Sequence, residues 1–206
     1  MTEPRRQHWD GVYRNKSFTD VSWYQSVPER SLQCIDAAGI ALEDAIIDVG
    51  GGASTLVDHL LRLGYGDVTV LDIAGEAFAQ SRDRLGAAAD GVDWIVTDVT
   101  AFEPARRYAL WHDRAVLHFL TEDADRKRYV SVLRQSLAAG GQVVLATFGP
   151  DGPLRCSGLE IRRYSAGMIQ ELLGEDFVLL DRALEEHRTP NGANQQFLFT
   201  RWRRRE

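Results

Sequence analysis

The chain has 206 residues, of which 44% are apolar and 26% are charged, a composition typical of one globular domain. Its 24 basic and 30 acidic side chains give a net charge of −6, which disfavours a nucleic-acid partner because phosphate contacts need clustered lysine and arginine. No apolar run approaches the roughly 18 residues of a membrane span, and neither a signal peptide nor a zinc motif is recognisable. The two cysteines, Cys34 and Cys156, are too few for a disulfide framework, so we expect a cytoplasmic protein without a metal.

The first 43 residues are predicted to form a cap over one end of a sheet. A helical pattern runs through about residues 29–38. Four large aromatic side chains also lie in this segment: Trp9, Tyr13, Trp23 and Tyr24. Residues 44–206 are predicted to form the core, so that 1–206 is a single domain.

The core alternates short apolar runs with helical patterns. The predicted strands are 45–49, 68–72, 92–98, 108–112, 142–147, 177–184 and 196–202. The predicted helices are 56–63, 76–85, 121–139 and 166–173, with Thr121 as the N-cap of the third. A turn-rich segment at 189–192 makes the last two strands a hairpin. This order predicts an α/β fold with a doubly wound, seven-stranded, mostly parallel sheet, an antiparallel last strand and helices on both faces.

A glycine-rich turn, Gly50-Gly51-Gly52, follows the first core strand directly, and Asp48 lies just before it. Such a turn lets a ligand approach the backbone where a Cβ atom would block it. The next two strands end in Asp72 and Asp98, and a carboxylate about 20 residues after a glycine-rich turn can accept ribose hydroxyl groups. The set predicts a nucleoside-containing cofactor; the alternative is a tight turn with acidic helix caps.

The identity of that nucleoside follows from two departures from the dinucleotide pattern. Thr55 stands where the third glycine of Gly-x-Gly-x-x-Gly belongs. Asp48 would repel a pyrophosphate but would suit an ammonium group. A cofactor with an amino acid end and an adenosine end meets both requirements.

The motifs Asp48-Val49-Gly50-Gly51-Gly52, Asp72 and Asp98-Val99 resemble those of the class I S-adenosylmethionine-dependent methyltransferases, over about residues 44–202. The resemblance implies a Rossmann-like sheet, S-adenosylmethionine as cofactor and S-adenosylhomocysteine as product. It places the methionine end near the glycine turn, the ribose on Asp72 and the adenine amino group on Asp98. Ser54 departs from the family because many members have a third glycine there. The implied cofactor contacts in the core are Asp48, Gly50, Gly52, Ser54, Asp72, Ile73, Asp98, Val99 and Asp113.

The aromatic motifs of the cap are similar to those of two branches of this family. One branch methylates thiols and halides, and the other comprises eukaryotic protein-lysine methyltransferases. The resemblance implies that Trp9, Tyr13 and Trp23 close over the cofactor and that Tyr24 contacts the substrate. The alternative is that these side chains only pack the cap onto the sheet.

Methyl transfer is an in-line displacement, which needs a general base only when the nucleophile is protonated. The candidate catalytic residues are Asp113 and His118, which follow the fourth strand, and His187 at the end of the sixth. Arg114, Arg155 and Cys156 are candidate substrate contacts. Arg114 pairing with Asp113, and His118 as an ordinary buried histidine, are the alternatives.

The sequence therefore predicts a methyltransferase that acts on a small molecule, as a monomer or a homodimer. A protein side-chain methyltransferase of the lysine type is the first alternative. An NAD-dependent oxidoreductase and a non-catalytic cofactor-binding module are the others.

Overall fold

The computed structural model describes residues 2–206, so the predicted cap begins one residue outside it. The cap contains two helices, α1 (Thr2–Asn15) and α2 (Glu29–Asp36). Among the described residues, none of the helices combines the length and the apolar character that a membrane span requires.

The core alternates strands and helices in the predicted order. The strands are β1 (Ile46–Val49), β2 (Val68–Asp72), β3 (Val92–Val96), β4 (Tyr108–Arg114), β5 (Leu137–Phe148), β6 (Arg155–Cys156), β7 (Leu159–Glu160), β8 (Phe177–Arg188) and β9 (Asn194–Arg204). The helices are α3 (Leu56–Leu63), α4 (Gly75–Leu85), α5 (Asp123–Ser136) and α6 (Ala166–Leu173). Short 3-10 turns cover Gly86–Gly91, Val99–Ala101 and Leu117–Phe119.

Seven strands form one sheet in the order β3-β2-β1-β4-β5-β9-β8. β1 to β5 pair in parallel, whereas β9 is antiparallel to both of its neighbours, β5 and β8. This arrangement confirms the predicted doubly wound sheet with an antiparallel last strand. β6 and β7 form a separate small hairpin within the loop after β5, which the sequence did not predict.

Both faces of the sheet are covered, which explains why every residue of β1 and β2 is buried. Helices α5 and α6 pack on one face, against a cluster that contains Trp111 and Trp202. Helices α2, α3 and α4 pack on the other face through side chains such as Leu60 and Phe78. The sheet therefore lies between two apolar layers. The edge formed by the carboxyl ends of its parallel strands is where a ligand can bind.

Three local predictions were wrong. Thr121 is not the N-cap of α5, because that position is taken by Glu122, without a side-chain capping bond. The same helix ends at Ser136 rather than at Gly140, since the chain joins the sheet at Leu137 through an irregular register with β4. The sequence also missed α1, a mostly polar helix without a regular apolar stripe.

Candidate active site

A main cavity of about 880 Å³ opens at the edge of the sheet where the parallel strands end. From β1, the sheet is extended first on one side by β2 and β3 and then on the other side by β4 and β5. Sheets of this kind bind ligands at the point where this order reverses, between β1 and β4. The predicted site residues that line it are Trp9, Tyr13, Trp23, Gly50, Asp72, Ile73, Asp98, Val99, Arg114, His118 and Cys156.

The glycine turn leaves no room for side chains. Gly50 and Gly52 have φ angles of +70° and +42°, which residues with a Cβ rarely adopt. A Cβ on Gly50 would lie 2.0 Å from Val116 Cγ2, and one on Gly52 would lie 2.7 Å from Asp72 Oδ2. The turn therefore brings bare backbone to the wall of the main cavity.

Asp72 ends β2 at the cavity wall with only 6% of its surface exposed. Its Oδ1 accepts the Ala74 amide at 2.8 Å. Burial, with a further contribution from Asp48 and Asp10, raises the pKa of Asp72 to about 7. Without a ligand, this carboxyl group is thus balanced between its neutral and charged forms near neutral pH.

Asp98 follows β3, and one of its two carboxylate oxygens accepts no hydrogen bond among the described residues. Its Oδ1 accepts both the amide and the hydroxyl group of Thr100, at 2.8 and 2.7 Å, which caps the 3-10 turn that contains Val99. Its Oδ2 is buried without a hydrogen-bond partner among the described residues, and the nearest cation is Arg5, at 3.6 Å. A buried oxygen that accepts no hydrogen bond is costly, so it is suited to a ligand donor.

An aromatic lid made of Trp9, Tyr13 and Trp23 covers the main cavity. Trp9 and Tyr13 are four residues apart on α1 and so share one face of that helix. The ring of Trp23 lies edge-on to both, with centroid separations of 5.8 and 6.3 Å. Burial and Asp72 raise the pKa of Tyr13, which keeps its hydroxyl group protonated.

Residues 46–141 match the family model of a methyltransferase domain. Residues 46–141 therefore have the sequence pattern of a methyltransferase domain, and the fold around them resembles that of S-adenosylmethionine-dependent methyltransferases. The chain is 31% identical to nodulation protein S of Rhizobium tropici over 98 residues, which are 48% of this chain and 39% of that protein. The chain spans well under half the length of the curated relatives it matches.

Two solved structures resemble the fold of this chain over nearly its whole length. One comes from work on the conversion of a disulfide bond into a thioacetal group during echinomycin biosynthesis, with a TM-score of 0.75 and 20% identity over 97% of this chain and 93% of that one. The other is the 1,6-didemethyltoxoflavin-N1-methyltransferase of Burkholderia thailandensis with its substrate and S-adenosylhomocysteine bound. Its TM-score is 0.68 and its identity 19%, over 98% of this chain and 84% of that one.

Asp48 does not line the main cavity but a smaller side cavity, together with Tyr24 and Ser54. Its Oδ1 accepts from His112 Nδ1 at 2.7 Å, which leaves His112 Nε2 to accept the Ser31 hydroxyl group at 2.9 Å. All three side chains of this relay are buried. These two partners were not predicted from the sequence, because Ser31 and His112 are 81 residues apart.

Asp113, predicted as a catalytic or cofactor contact, does not line either cavity. Its buried carboxylate accepts the Tyr129 hydroxyl group at 2.6 Å and the amides of Val116 and Leu117 at 2.8 and 3.1 Å. Burial raises the pKa of Asp113 to about 6, and these hydrogen bonds hold it from rising further. The structure thus places Asp113 as the anchor of the turn after β4.

His118 lines the main cavity, whereas His187 does not. The Nδ1 of His118 accepts the Phe148 amide at 3.3 Å, and burial with the nearby Arg114 lowers its pKa to about 3. The Nε2 of His187 donates to the Ser22 carbonyl at 2.7 Å and ties β8 to the cap. His118 is therefore a weak base, and His187 is engaged in holding the cap.

The predicted substrate contacts are separated in space. Arg114 and Cys156 line the main cavity, and burial raises the pKa of the Cys156 thiol. Arg155 is exposed, and its Nη2 donates to the Gly158 carbonyl at 2.6 Å. The alternative pairing of Arg114 with Asp113 is absent from the described residues, since Arg114 donates to the Trp23 carbonyl instead.

Several lining residues were not found from the sequence. They are Arg5 on α1, Phe119 after β4, Phe148 on β5, and Gln195 and Phe197 on β9. The two residues of β9 carry no local motif, because only the pairing of β9 against β5 brings that strand to the cavity.

We expect Tyr129→Phe to lower the free energy of unfolding by about 1 to 3 kcal/mol, because buried Asp113 loses a hydrogen-bond donor. The folded-state pKa of Asp113 already lies above its ordinary value. The loss of this donor raises it further, so the destabilisation is larger at pH 8 than at pH 5. Urea unfolding at both pH values measures it. Tyr164→Phe is the matched control, because the buried Tyr164 hydroxyl group has no partner among the described residues; equal effects of the two variants would contradict the role of Tyr129.

Proposed function

We propose that this chain binds S-adenosylmethionine in the main cavity and transfers its methyl group to a small-molecule acceptor. The observation that carries the proposal is the arrangement of Gly50, Asp72 and Asp98 around one cavity. Bare backbone, a buried carboxylate and a buried unpartnered oxygen suit, in turn, the amino acid end, the ribose and the adenine of this cofactor.

Each polar group of the wall has a role in this proposal. Asp72 accepts the ribose hydroxyl groups, and Asp98 Oδ2 accepts the adenine amino group beside Val99. The bound cofactor supplies an electrophilic methyl group on a sulfonium. The aromatic lid excludes water and contributes cation–π attraction of about 1 to 2 kcal/mol where the positive charge is desolvated.

The chain's contribution to catalysis is positioning rather than proton transfer. His118 is a weak base because its pKa is lowered to about 3, and Asp113 is occupied by Tyr129 and two backbone amides. A nucleophile that arrives as an anion or as a neutral amine needs no base. Holding it in line with the methyl group in a dry cavity is then the main source of rate enhancement.

A small-molecule acceptor fits the aromatic lining of the main cavity, where Trp9, Tyr13 and Trp23 lie beside Phe119, Phe148 and Phe197. The name of the toxoflavin-related neighbour also describes action on a small molecule. Methylation of a protein side chain is the second candidate, favoured only by the likeness of the cap motifs. A cytoplasmic protein that is a monomer or a homodimer, without a nucleic-acid partner, completes the proposal.

Calorimetry separates the alternatives. We expect S-adenosylmethionine and S-adenosylhomocysteine to bind with a stoichiometry of one and NAD not to bind. Binding of NAD alone would favour an oxidoreductase. Binding of S-adenosylhomocysteine without turnover of any thiol, amine or carboxylate acceptor would favour a non-catalytic module.

A further inference from the structure

The two ends of the main cavity differ in charge, since the one cation at the acidic end, Arg5, is paired with Asp98 and Asp125. Asp72 and Asp98 follow β2 and β3, on one side of β1 in the sheet order. Arg114, at the end of β4, and Phe148, at the end of β5, lie on the other side. The proposed cofactor contacts occupy the acidic side, so the basic side is left for the methyl acceptor.

Arg114 forms no close ion pair among the described residues, although the more distant carboxylates Glu185 and Asp48 attract its charge and raise its pKa. Its Nη1 donates to the Trp23 carbonyl at 2.8 Å, but its Nε and Nη2 are buried and have no acceptor among residues 2–206. In the same part of the chain, no carboxylate lies within 4.0 Å of the guanidinium group. Burial lowers the pKa of Arg114 to about 10, so the group stays positive at neutral pH. Unpaired buried donors are rare in proteins unless a ligand pairs with them.

His118 adds a third free donor to the same end. Because its Nδ1 accepts the Phe148 amide, the ring proton lies on Nε2, which has no partner among the described residues. The ring is neutral, since burial and Arg114 lower its pKa to about 3. We call Arg114 and His118 the donor end of the cavity.

Aromatic rings surround the donor end. The guanidinium group of Arg114 lies 4.8 Å from the centroid of the Phe197 ring, and the ring of Phe148 lies 4.6 Å from that of His118. Apolar walls exclude water and strengthen the attraction between the cation and an opposite charge. The surroundings therefore favour a small aromatic molecule that carries one negative charge.

We propose that the donor end binds an anionic group of the methyl acceptor, a carboxylate or a thiolate on a small aromatic frame, through Arg114 and His118. This inference rests on the proposed function, because it takes the acidic side of the cavity as the cofactor site. Arg114 provides charge and two N–H groups, and His118 provides a neutral N–H group. A neutral isostere of the anion would leave these donors unpaired and would bind more weakly.

Matched aromatic probes test the inference on the protein saturated with S-adenosylhomocysteine. We expect benzoate or benzenethiolate to bind at least tenfold more tightly than neutral benzamide, and the ranking of the two anions distinguishes carboxylate from thiolate recognition.

Arg114→Gln should abolish the preference for the anion, and Arg114→Lys should retain part of it. Arg182→Gln, at an exposed position on β8, is the control that should keep the full preference. A preference that persists in Arg114→Gln, or no preference in the unsubstituted protein, would overturn the inference.

Arg114 also lines the side cavity, beside the glycine turn. A second comparison therefore tests whether its partner is the carboxylate of the cofactor rather than that of the acceptor. We expect Arg114→Gln to bind S-adenosylhomocysteine and 5′-methylthioadenosine, which lacks the amino acid end, as the unsubstituted protein does. Selective weakening of S-adenosylhomocysteine would assign Arg114 to the cofactor and overturn the inference. Failure of the unsubstituted protein to bind S-adenosylhomocysteine would instead refute the proposed function itself.

Discussion

Asp72→Asn is expected to weaken cofactor binding and, at the same time, to stabilise the unliganded protein above pH 7. The lost charge-assisted hydrogen bonds to the ribose should reduce affinity for S-adenosylhomocysteine by roughly 1.5 to 3 kcal/mol. The stability gain arises because a buried carboxylate is unfavourable when charged, and asparagine is never charged. Its amide oxygen can still accept the Ala74 amide that Asp72 Oδ1 accepts.

The sign of the pH dependence follows from the raised pKa. The folded-state pKa of Asp72, about 7, exceeds the ordinary value of 3.8. The stabilising contribution of the neutral carboxyl group is therefore complete below about pH 4 and is lost as the pH rises through 7. The variant should match the unsubstituted protein near pH 4 and exceed it by roughly 2 to 4 kcal/mol at pH 8.

Urea unfolding without ligand at pH 5 and pH 8, together with calorimetric titration of S-adenosylhomocysteine, measures both effects. Affinity of the unsubstituted protein should also fall as the pH drops below 7, because protonated Asp72 accepts less well. A stability difference that is the same at the two pH values, or an unchanged dissociation constant, would refute this role of Asp72.

Gly50→Ala is expected to reduce cofactor affinity by at least about 100-fold, which corresponds to roughly 2.7 kcal/mol. The added Cβ would meet Val116 Cγ2 at 2.0 Å, at a φ angle of +70° that alanine disfavours. Either the turn or Val116 must move, and both line or border the main cavity.

Two further variants separate strain from collision. Gly39→Ala is the control for strain alone, because Gly39 has a φ angle of +63° and nothing lies within 4 Å of the added Cβ. It should cost about 1 kcal/mol of stability and no cofactor affinity. Adding Val116→Ala to Gly50→Ala should restore stability to the level of the Gly39 variant while affinity stays low. Normal affinity in Gly50→Ala would show that the cofactor does not approach this backbone.

The sequence revealed the acidic side of the cavity because each of its features is local. A strand followed at once by Gly50, and strands that end in Asp72 and Asp98, are read directly from apolar runs and their limits. The parallel order of the strands then brings these positions to one edge. Prediction of the fold succeeded for the same reason.

The donor end was harder to predict because it is assembled from distant segments. Phe197 reaches the cavity only through the antiparallel pairing of β9 with β5. Arg155 was predicted to contact the substrate, but the unpredicted β6–β7 hairpin leaves its side chain exposed. His187 lies at the predicted strand end, yet its ring is bound to the Ser22 carbonyl.

The antiparallel strand β9 separates two tasks in this fold. The carboxylates proposed for the cofactor come from β2 and from the segment after β3, whereas Gln195 and Phe197 come from β9, beyond β4 and β5. Substitutions on β9 and its hairpin can therefore reshape the acceptor chamber without disturbing the nucleoside contacts. Under the proposed function, variation along β9 would therefore change which acceptor is methylated, while the methyl donor stays the same.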